Sequence, residues 1–599
     1  MSRIRRLRPY AALWIVVILF DGYFMRSVVQ TGFSTTTIGT QIDAPVYIWS
    51  NAWVAHALFL FHNPFLANVS SVGHPFNLLA NASNAGFAIL CSPLTKLVGP
   101  VATFNVQLMA IPLLNGTAMV ACVRRLRGGA LLAFGAGVLW ALNPFVVHSM
   151  LSGWTDVGYQ VTMPLVVVLY LATLRDKELS SRAGLLLIAG AVIFQYLVSQ
   201  EALFDDLIFA GLVALIVWIR RPRLPLETPF DIRATMQYFV APVIIILGPL
   251  TVYAIVGPSS LSNLRVPSRF IGHDQVLGTF FRPFHYGSGP SPINPYYVGA
   301  LLCAFFLWAS WSLRRKPLVV AVSVASVVSW FFSLQYRNVA GVPLSRLIES
   351  LPIVGNLSVS RFIFQFWFGA TTVIVLWLAS DTSRRVSRNP RRVTAAVLGG
   401  VTLVSSMVGV LHLSPPLAMG YPKDSAIEHI VHSTERHVVA TFPFPFEHRS
   451  MWLQAENGDF SYHLADIYTY AIFGQFPALQ RDKAVFTEIH KDQLLSAPSR
   501  RQLDLGRVAL RQMGVTDVVL PRGSIASVGP GAQTDVNTNE FVALFTEMLG
   551  MPSVLDGEWV WRHLGQSHHS MKVLSTAQWR TCALRTAAGR IPKCVVQQP

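Results

Sequence analysis

Long apolar runs separated by short arginine-rich hinges constrain this chain more than any other feature. Runs long enough to cross a hydrocarbon layer of roughly 30 Å lie near residues 11–31, 104–123, 129–148, 158–174, 184–200, 203–219, 236–256, 296–313, 317–335, 361–380 and 393–411. Backbone in lipid must satisfy its own hydrogen bonds, and a run of this length does so as a helix. The pattern predicts a mainly α, polytopic helical membrane protein of about eleven spans.

The charge distribution says which way the helices run. Only 13% of the 599 residues are charged and 52% are hydrophobic, against about 25% charged in an average soluble domain. A net charge of +17 would suggest nucleic acid if it formed one patch. Instead the basic residues fall in the hinges: Arg3, Arg5, Arg6 and Arg8; Arg124, Arg125 and Arg127; Arg220, Arg221 and Arg223; Arg314, Arg315 and Lys316; and Arg384 to Arg392. This positive-inside pattern predicts a bilayer as partner and no nucleic acid. It places the N-terminus and the hinges in the cytoplasm of a multi-pass plasma-membrane protein. The first run lacks a small-residue cleavage site and continues through bulky residues from Phe20 to Arg26, so it reads as a retained anchor.

Two further segments are less regular. Residues 44–62 are interrupted by Ser50, Asn51, His56 and His62, and read as an in-plane helix with Trp49 and Trp53 at the headgroup level. Residues 84–103 are broken by Pro93 and by Gly99-Pro100. If both spanned, the count would be thirteen and the C-terminus would stay on the same side. After residue 411 the composition turns soluble, with strand-like Val438 to Phe444, helix-like Arg500 to Met513, strand-like Thr516 to Leu520 and a strand near Glu558 to Arg562. The expected division is a membrane domain at 1–411 and a small extracytoplasmic α/β domain at 412–599. Cys582 and Cys594 lie close together in that tail, and a disulfide and two separate thiols are equally compatible with their spacing.

The predicted outer loops hold few acids, so each carboxylate there is informative. Asp43 stands in Thr40-Gln41-Ile42-Asp43-Ala44-Pro45. It can cap the helix that Pro45 opens, or serve as a general base taking the proton of an acceptor hydroxyl. Glu201, with Asp205 and Asp206, falls in a very short turn between two spans. That cluster reads either as a solvated turn favoured by a helix dipole or as a group facing the outer side, binding an acceptor hydroxyl or a divalent cation. Asp156 occupies the intervening outer loop.

Arg361 opens a span after an outer loop, where its planar fork suits a phosphate and its length equally suits an interfacial anchor. The loop from Gly257 to Pro295 adds Arg265, Arg269, His273 and Asp274, and could close over a substrate. No zinc-type spacing, P-loop or dinucleotide fingerprint occurs. No cytoplasmic loop is large enough to form a soluble nucleotide-binding domain.

The stretch from Asp43 through Trp53, His56-Ala57-Leu58, His62-Asn63-Pro64-Phe65, His74-Pro75, Asn77-Leu78-Leu79 and Asn81-Ala82-Ser83 resembles the first loop of bacterial GT-C-type membrane glycosyltransferases. The resemblance continues in Phe104-Asn105, Arg124-Arg125-Leu126, Leu142-Asn143-Pro144-Phe145 and Ser360-Arg361-Phe362, and is greatest toward actinobacterial members. It implies transfer of a sugar, with inversion, from a polyprenyl-phosphate donor to an extracytoplasmic glycan or glycolipid. Asp43 would be the base, Glu201 would assist, and Arg361, Arg265 and Arg269 would bind the donor phosphate. Trp49, Trp53, His56, His74, Asp156, His273 and Asp274 would line the pocket. GT-C loops often carry two acids where this chain has Ile42-Asp43, so the resemblance implies no fixed cofactor while leaving room for a divalent cation. The rival readings are a polysaccharide or lipid transporter, against which the lack of internal repeats counts, and an inactive scaffold for envelope assembly.

Overall fold

The structure, a computed structural model, describes residues 2–220 and 232–258 apart from short breaks, residues 294–333 and 359–380, and segments within 416–464 and 500–564. Its residues form two compact units. One comprises Met1–Gln30, Asn105–Val252 and Leu264–Pro416; the other comprises Thr31–Phe104, Tyr253–Asn263 and Leu417–Pro599.

The first unit is helical. Its elements include α1 (Ser2–Phe24), α2 (Arg26–Thr31), and, after the helices of the first loop described below, α6 (Pro100–Arg125), α7 (Ala130–Ala141), α8 (Pro144–Ser152), α9 (Thr155–Gly158), α10 (Thr162–Leu174), α11 (Ser181–Val198) and α12 (Gln200–Arg220). Then come α13 (Ile232–Thr235), a π-helical turn at Met236–Val240, α14 (Ala241–Val256), α15 (Ala300–Ser312), α16 (Pro317–Ser333), a 3-10 turn at Val359–Phe362 and α17 (Ile363–Leu378). Among the described residues, seven helical stretches are long and apolar enough to cross a membrane, and α15, α16 and α17 are shorter apolar helices. All ten coincide with runs read from the sequence; the run at 393–411 lies outside the described residues.

Lipid explains surfaces that water would penalise. In α14, Ile245 is 70% exposed and Ile244 and Val252 are exposed beside it, a continuous apolar face that belongs in hydrocarbon. Between helices, small residues permit close approach, as expected where dispersion rather than water exclusion drives packing. α1 packs on α7, and a Cβ added at Gly116 would press on Leu13, while one at Gly137 would collide with Val120 of α6. α16 packs along α17, where Gly369 sits against Ser326. The predicted run at 129–148 is interrupted: Asn143 accepts a hydrogen bond from Val146 N at 3.1 Å and Pro144 takes the first turn, so Asn-Pro caps a new helix, α8.

The second unit combines the first loop with the C-terminal residues. The loop contains α3 (Ala44–Phe59), a hairpin of β1 (Leu66–Ala67) and β2 (Phe76–Asn77), α4 (Ala85–Leu90) and α5 (Ser92–Val98). The expected breaks are present: α5 starts around Pro93 and ends at Gly99, whose φ of +87° is a conformation open to glycine.

The C-terminal residues contribute β3 (Val438–Thr441), α18 (Arg449–Asn457), β4 (His463–Leu464), α19 (Arg500–Gln512), β5 (Asp517–Leu520), a β6–β7 hairpin (Ser524–Ile525 with Val536–Asn537), α20 (Asn539–Leu549), β8 (Ser553–Leu555) and β9 (Glu558–Trp561). Five strands form one mixed sheet in the order β4-β3-β5-β9-β8. β3 pairs in parallel with β4 and β5, and β9 runs antiparallel to β5 and β8. The four C-terminal segments assigned from periodicity all fall on elements of the expected type.

The in-plane reading of residues 44–62 is corrected. An interfacial helix keeps a polar face wet, whereas nearly every residue of α3 is buried. It packs against α4, α5 and, most extensively, α18. The loop is also stitched to the C-terminal residues by backbone: Thr37 and Met419 exchange two hydrogen bonds of 2.7 Å, and Leu464 N donates to Val69 O at 3.0 Å.

Candidate functional site

In the first unit, α8 ends at Gly153, whose left-handed φ of +75° turns the chain so that Trp154 and Asp156 follow at the start of α9. Trp154 N bonds back to Ser149 O at 2.8 Å, fixing the turn. Arg361, in the 3-10 turn leading into α17, places its guanidinium over the Trp154 ring at 5.7 Å from the centroid and forms an ion pair with Glu201 of α12. Both partners are partly buried, which strengthens the attraction while favouring that each charge stay matched. His148 packs edge-on to Trp154 at 5.3 Å. The result is a guanidinium held in one orientation by a carboxylate and an indole.

The acid cluster is not a turn. Glu201, Asp205 and Asp206 occupy the first two turns of α12, so the solvated-turn reading is corrected: Asp205 is 2% and Asp206 8% exposed. Glu201 and Asp205, four residues apart, share a helix face. Asp206 Oδ1 accepts from Gln365 Nε2 at 3.1 Å. Among the described residues, Asp205 Oδ1 and Gln365 Oε1 are buried without a hydrogen-bond partner.

In the second unit, Asp43 precedes α3 and is half-buried. Its backbone carbonyl accepts from Val46 N at 3.1 Å, while its side chain makes no capping bond. The capping role read from Asp-Ala-Pro is thus carried by the backbone and by Pro45. Further along α3, Trp49 and Trp53, one turn apart, are buried. Trp49 Nε1 donates to Gln454 Oε1 at 2.7 Å. Phe460, held at a φ of +54°, inserts edge-on among Trp49, Trp53 and His56 at centroid distances of 6.0, 5.3 and 4.9 Å. Such pairs add about 0.5–1.5 kcal/mol each beyond area burial. His56 Nδ1 lies 3.3 Å from Gly458 O. These three side chains form a packed clasp with the C-terminal residues, and the headgroup placement of Trp49 and Trp53 is corrected accordingly.

The asparagines of the first-loop motifs build the scaffold. Asn63 Oδ1 accepts from Phe65 N at 2.9 Å, and the buried Asn77 donates to Tyr253 O and Pro258 O, both at 3.1 Å.

No family model and no curated protein matches the sequence. Solved structures do match the fold. The oligosaccharyltransferase of Archaeoglobus fulgidus tethered to an acceptor peptide containing the NVT sequon superposes with a TM-score of 0.51 at 10% identity, covering 87% of this chain and 70% of that one. The same enzyme in complex with zinc and sulfate gives 0.51 at 12% identity, over 85% and 67%. The mycobacterial arabinofuranosyltransferase AftD gives 0.50 at 14% identity, covering 98% of this chain and 43% of that one.

This chain shares their fold. Both neighbours are GT-C glycosyltransferases, so the fold implied by the first-loop resemblance is present. The chain spans less than half the length of the mycobacterial protein.

Of the residues singled out from sequence, the structure brings Glu201 and Arg361 together and groups Trp49, Trp53 and His56. Asp156 is buried on α9, two residues after Trp154. His74, Arg265, Arg269, His273 and Asp274 lie outside the described residues. Sequence reasoning passed over Trp154, His148 and Gln365; the visible signal was a tryptophan beside Asp156 in a glycine turn. Among the described residues, no group of three His, Cys, Asp or Glu side chains is placed to hold a metal ion.

Proposed function

We propose that this protein is a membrane glycosyltransferase that transfers a sugar from a polyprenyl-phosphate donor to an extracytoplasmic glycan or glycolipid of the cell envelope. The observation that carries the reading is Arg361, oriented by Glu201 and Trp154 in a chain with the fold of glycosyltransferases. A fixed, partly desolvated guanidinium offers two parallel N–H groups to a phosphate and is organised before the negative charge develops. The orientation in which the second unit faces away from the cytoplasm is part of this proposal and rests on the arginine hinges.

In this mechanism an acceptor hydroxyl oxygen attacks the anomeric carbon while Asp43 takes its proton. The carbon–oxygen bond to phosphate breaks, and its electron pair leaves on polyprenyl phosphate, whose charge Arg361 balances. Backside attack inverts the anomeric configuration. Phosphate is already a good leaving group, so one base suffices. Support for Asp43 comes from its place in the first-loop motif, immediately before α3.

Asp43→Asn, inserted at the level of the unaltered protein, should lose transfer from a polyprenyl-phosphate sugar in membranes by about 10²–10⁴-fold, the range for a general base. Full activity in that variant overturns the assignment.

A further inference from the structure

The C-terminal residues contain a cavity that the proposed chemistry does not use. It has a volume of about 220 Å³ and lies where α19 and α20 end. Leu510, Val515, Leu549 and Leu564 line it, with Arg507 and Arg511 beside them. Gly514, at a φ of +65°, reverses the chain after α19, and its N–H closes on Arg511 O at 2.9 Å. That reversal brings Val515 back under the helix and creates the hollow.

The two arginines stand one turn apart on one helix face. Arg507 donates from Nε to Met548 O, which explains one of its five N–H groups as a cap on α20. Its burial, and the like charge of Arg511, hold its pKa below the usual arginine value, with Asp504 opposing. Among the described lining residues the charged side chains are Arg507 and Arg511, which make this end of the cavity positive. Arg511 is exposed and is not required for the helix cap.

We infer that this cavity binds a single anionic sugar residue, one ring carrying a carboxylate or a phosphate, presented by an extracytoplasmic glycan. The volume is below the roughly 300 Å³ of the smallest drug-sized pockets, which suits one sugar ring better than a lipid chain or a folded peptide. The aliphatic lining matches the C–H face of a sugar ring, which inorganic phosphate would leave uncovered. The arginine pair favours negative charge, which a neutral sugar lacks. The inference rests on the glycan-acceptor reading above and adds a second contact for that acceptor.

Titration of the full-length protein in detergent micelles with methyl glucuronide, methyl glucoside 6-phosphate, methyl glucoside and inorganic phosphate tests it. At least one charged sugar should bind ten-fold or more tighter than methyl glucoside and than inorganic phosphate. The stronger of the two charged sugars identifies the anionic group. Arg511→Gln, an exposed substitution, should weaken that binding ten-fold or more, and Asp43→Asn should leave it unchanged. Equal affinity for charged and neutral sugars, inorganic phosphate binding as tightly as either charged sugar, no binding at all, or indifference to Arg511→Gln overturns the inference. Retained transfer by Asp43→Asn alongside Arg511-dependent binding would instead remove the catalytic reading and leave the cavity assignment standing.

Discussion

Arg361 shows how much a residue's meaning depends on its neighbours. Read alone it is equally an interfacial anchor and a phosphate ligand; paired to Glu201 and stacked over Trp154, it is a charge whose position has been fixed in advance. Lysine would keep the charge and lose the fork. Arg361→Lys should therefore lower kcat/KM for the donor by about 10²-fold, equivalent to about 2.7 kcal/mol. A change below three-fold in initial-rate measurements with a synthetic donor would remove Arg361 from phosphate binding. The ion pair itself predicts coupling of about 1–3 kcal/mol in a Glu201→Gln, Arg361→Gln double-mutant cycle on thermal unfolding in detergent. Additive effects would mean that the two side chains do not depend on each other. Asp43 illustrates the converse: its local sequence suggested a helix cap, and the structure assigns that job to its backbone and to Pro45.

Among the elements, close helix packing makes a sharp prediction at Gly369. A Cβ there would overlap Ser326 Oγ, so Gly369→Ala should destabilise the α16–α17 pair by about 1–3 kcal/mol. Among the described residues, Ser326 Oγ otherwise bonds back to Val322 O in its own helix. Adding Ser326→Ala to Gly369→Ala should therefore restore most of the loss in a detergent melting experiment, and a double variant as unstable as the single one would refute the contact. The α3 clasp carries a second prediction. Phe460→Ala empties the centre of the Trp49, Trp53 and His56 cluster and should cost about 3–5 kcal/mol. Because α3 and α18 pack together, limited proteolysis should then cut the first loop and the C-terminal residues at matching rates. Cleavage confined to one of them would show that they do not stabilise each other.

For the whole molecule, the first loop and the C-terminal sheet belong to one compact unit, although about 300 residues or more of sequence separate them. The arginine hinges predict that this unit faces away from the cytoplasm. In a variant lacking the native cysteines, Val508→Cys, exposed on α19, should react with a membrane-impermeant maleimide on intact cells. Arg314→Cys, in a basic hinge, should react only after permeabilisation. The reverse pattern would invert the topology.

The sequence by itself determined the class of molecule. Twenty-residue apolar runs and hinge arginines report on the bilayer, a solvent that acts on each segment independently, so the helices at 104–123 or 203–219 could be located without knowing their neighbours. The same locality made β5, β9 and α19 legible, since strand and helix periodicities repeat over a few residues. Tertiary structure decided what contacts decide. Trp49 and Trp53 look like headgroup anchors until Gln454 and Phe460 arrive from more than 400 residues away. Glu201 and Asp206 look like a wet turn until Arg361 and Gln365 cover them. Partners that far apart leave no periodic trace in the chain, because burial and charge pairing are properties of the space around a side chain and not of the residues beside it in sequence.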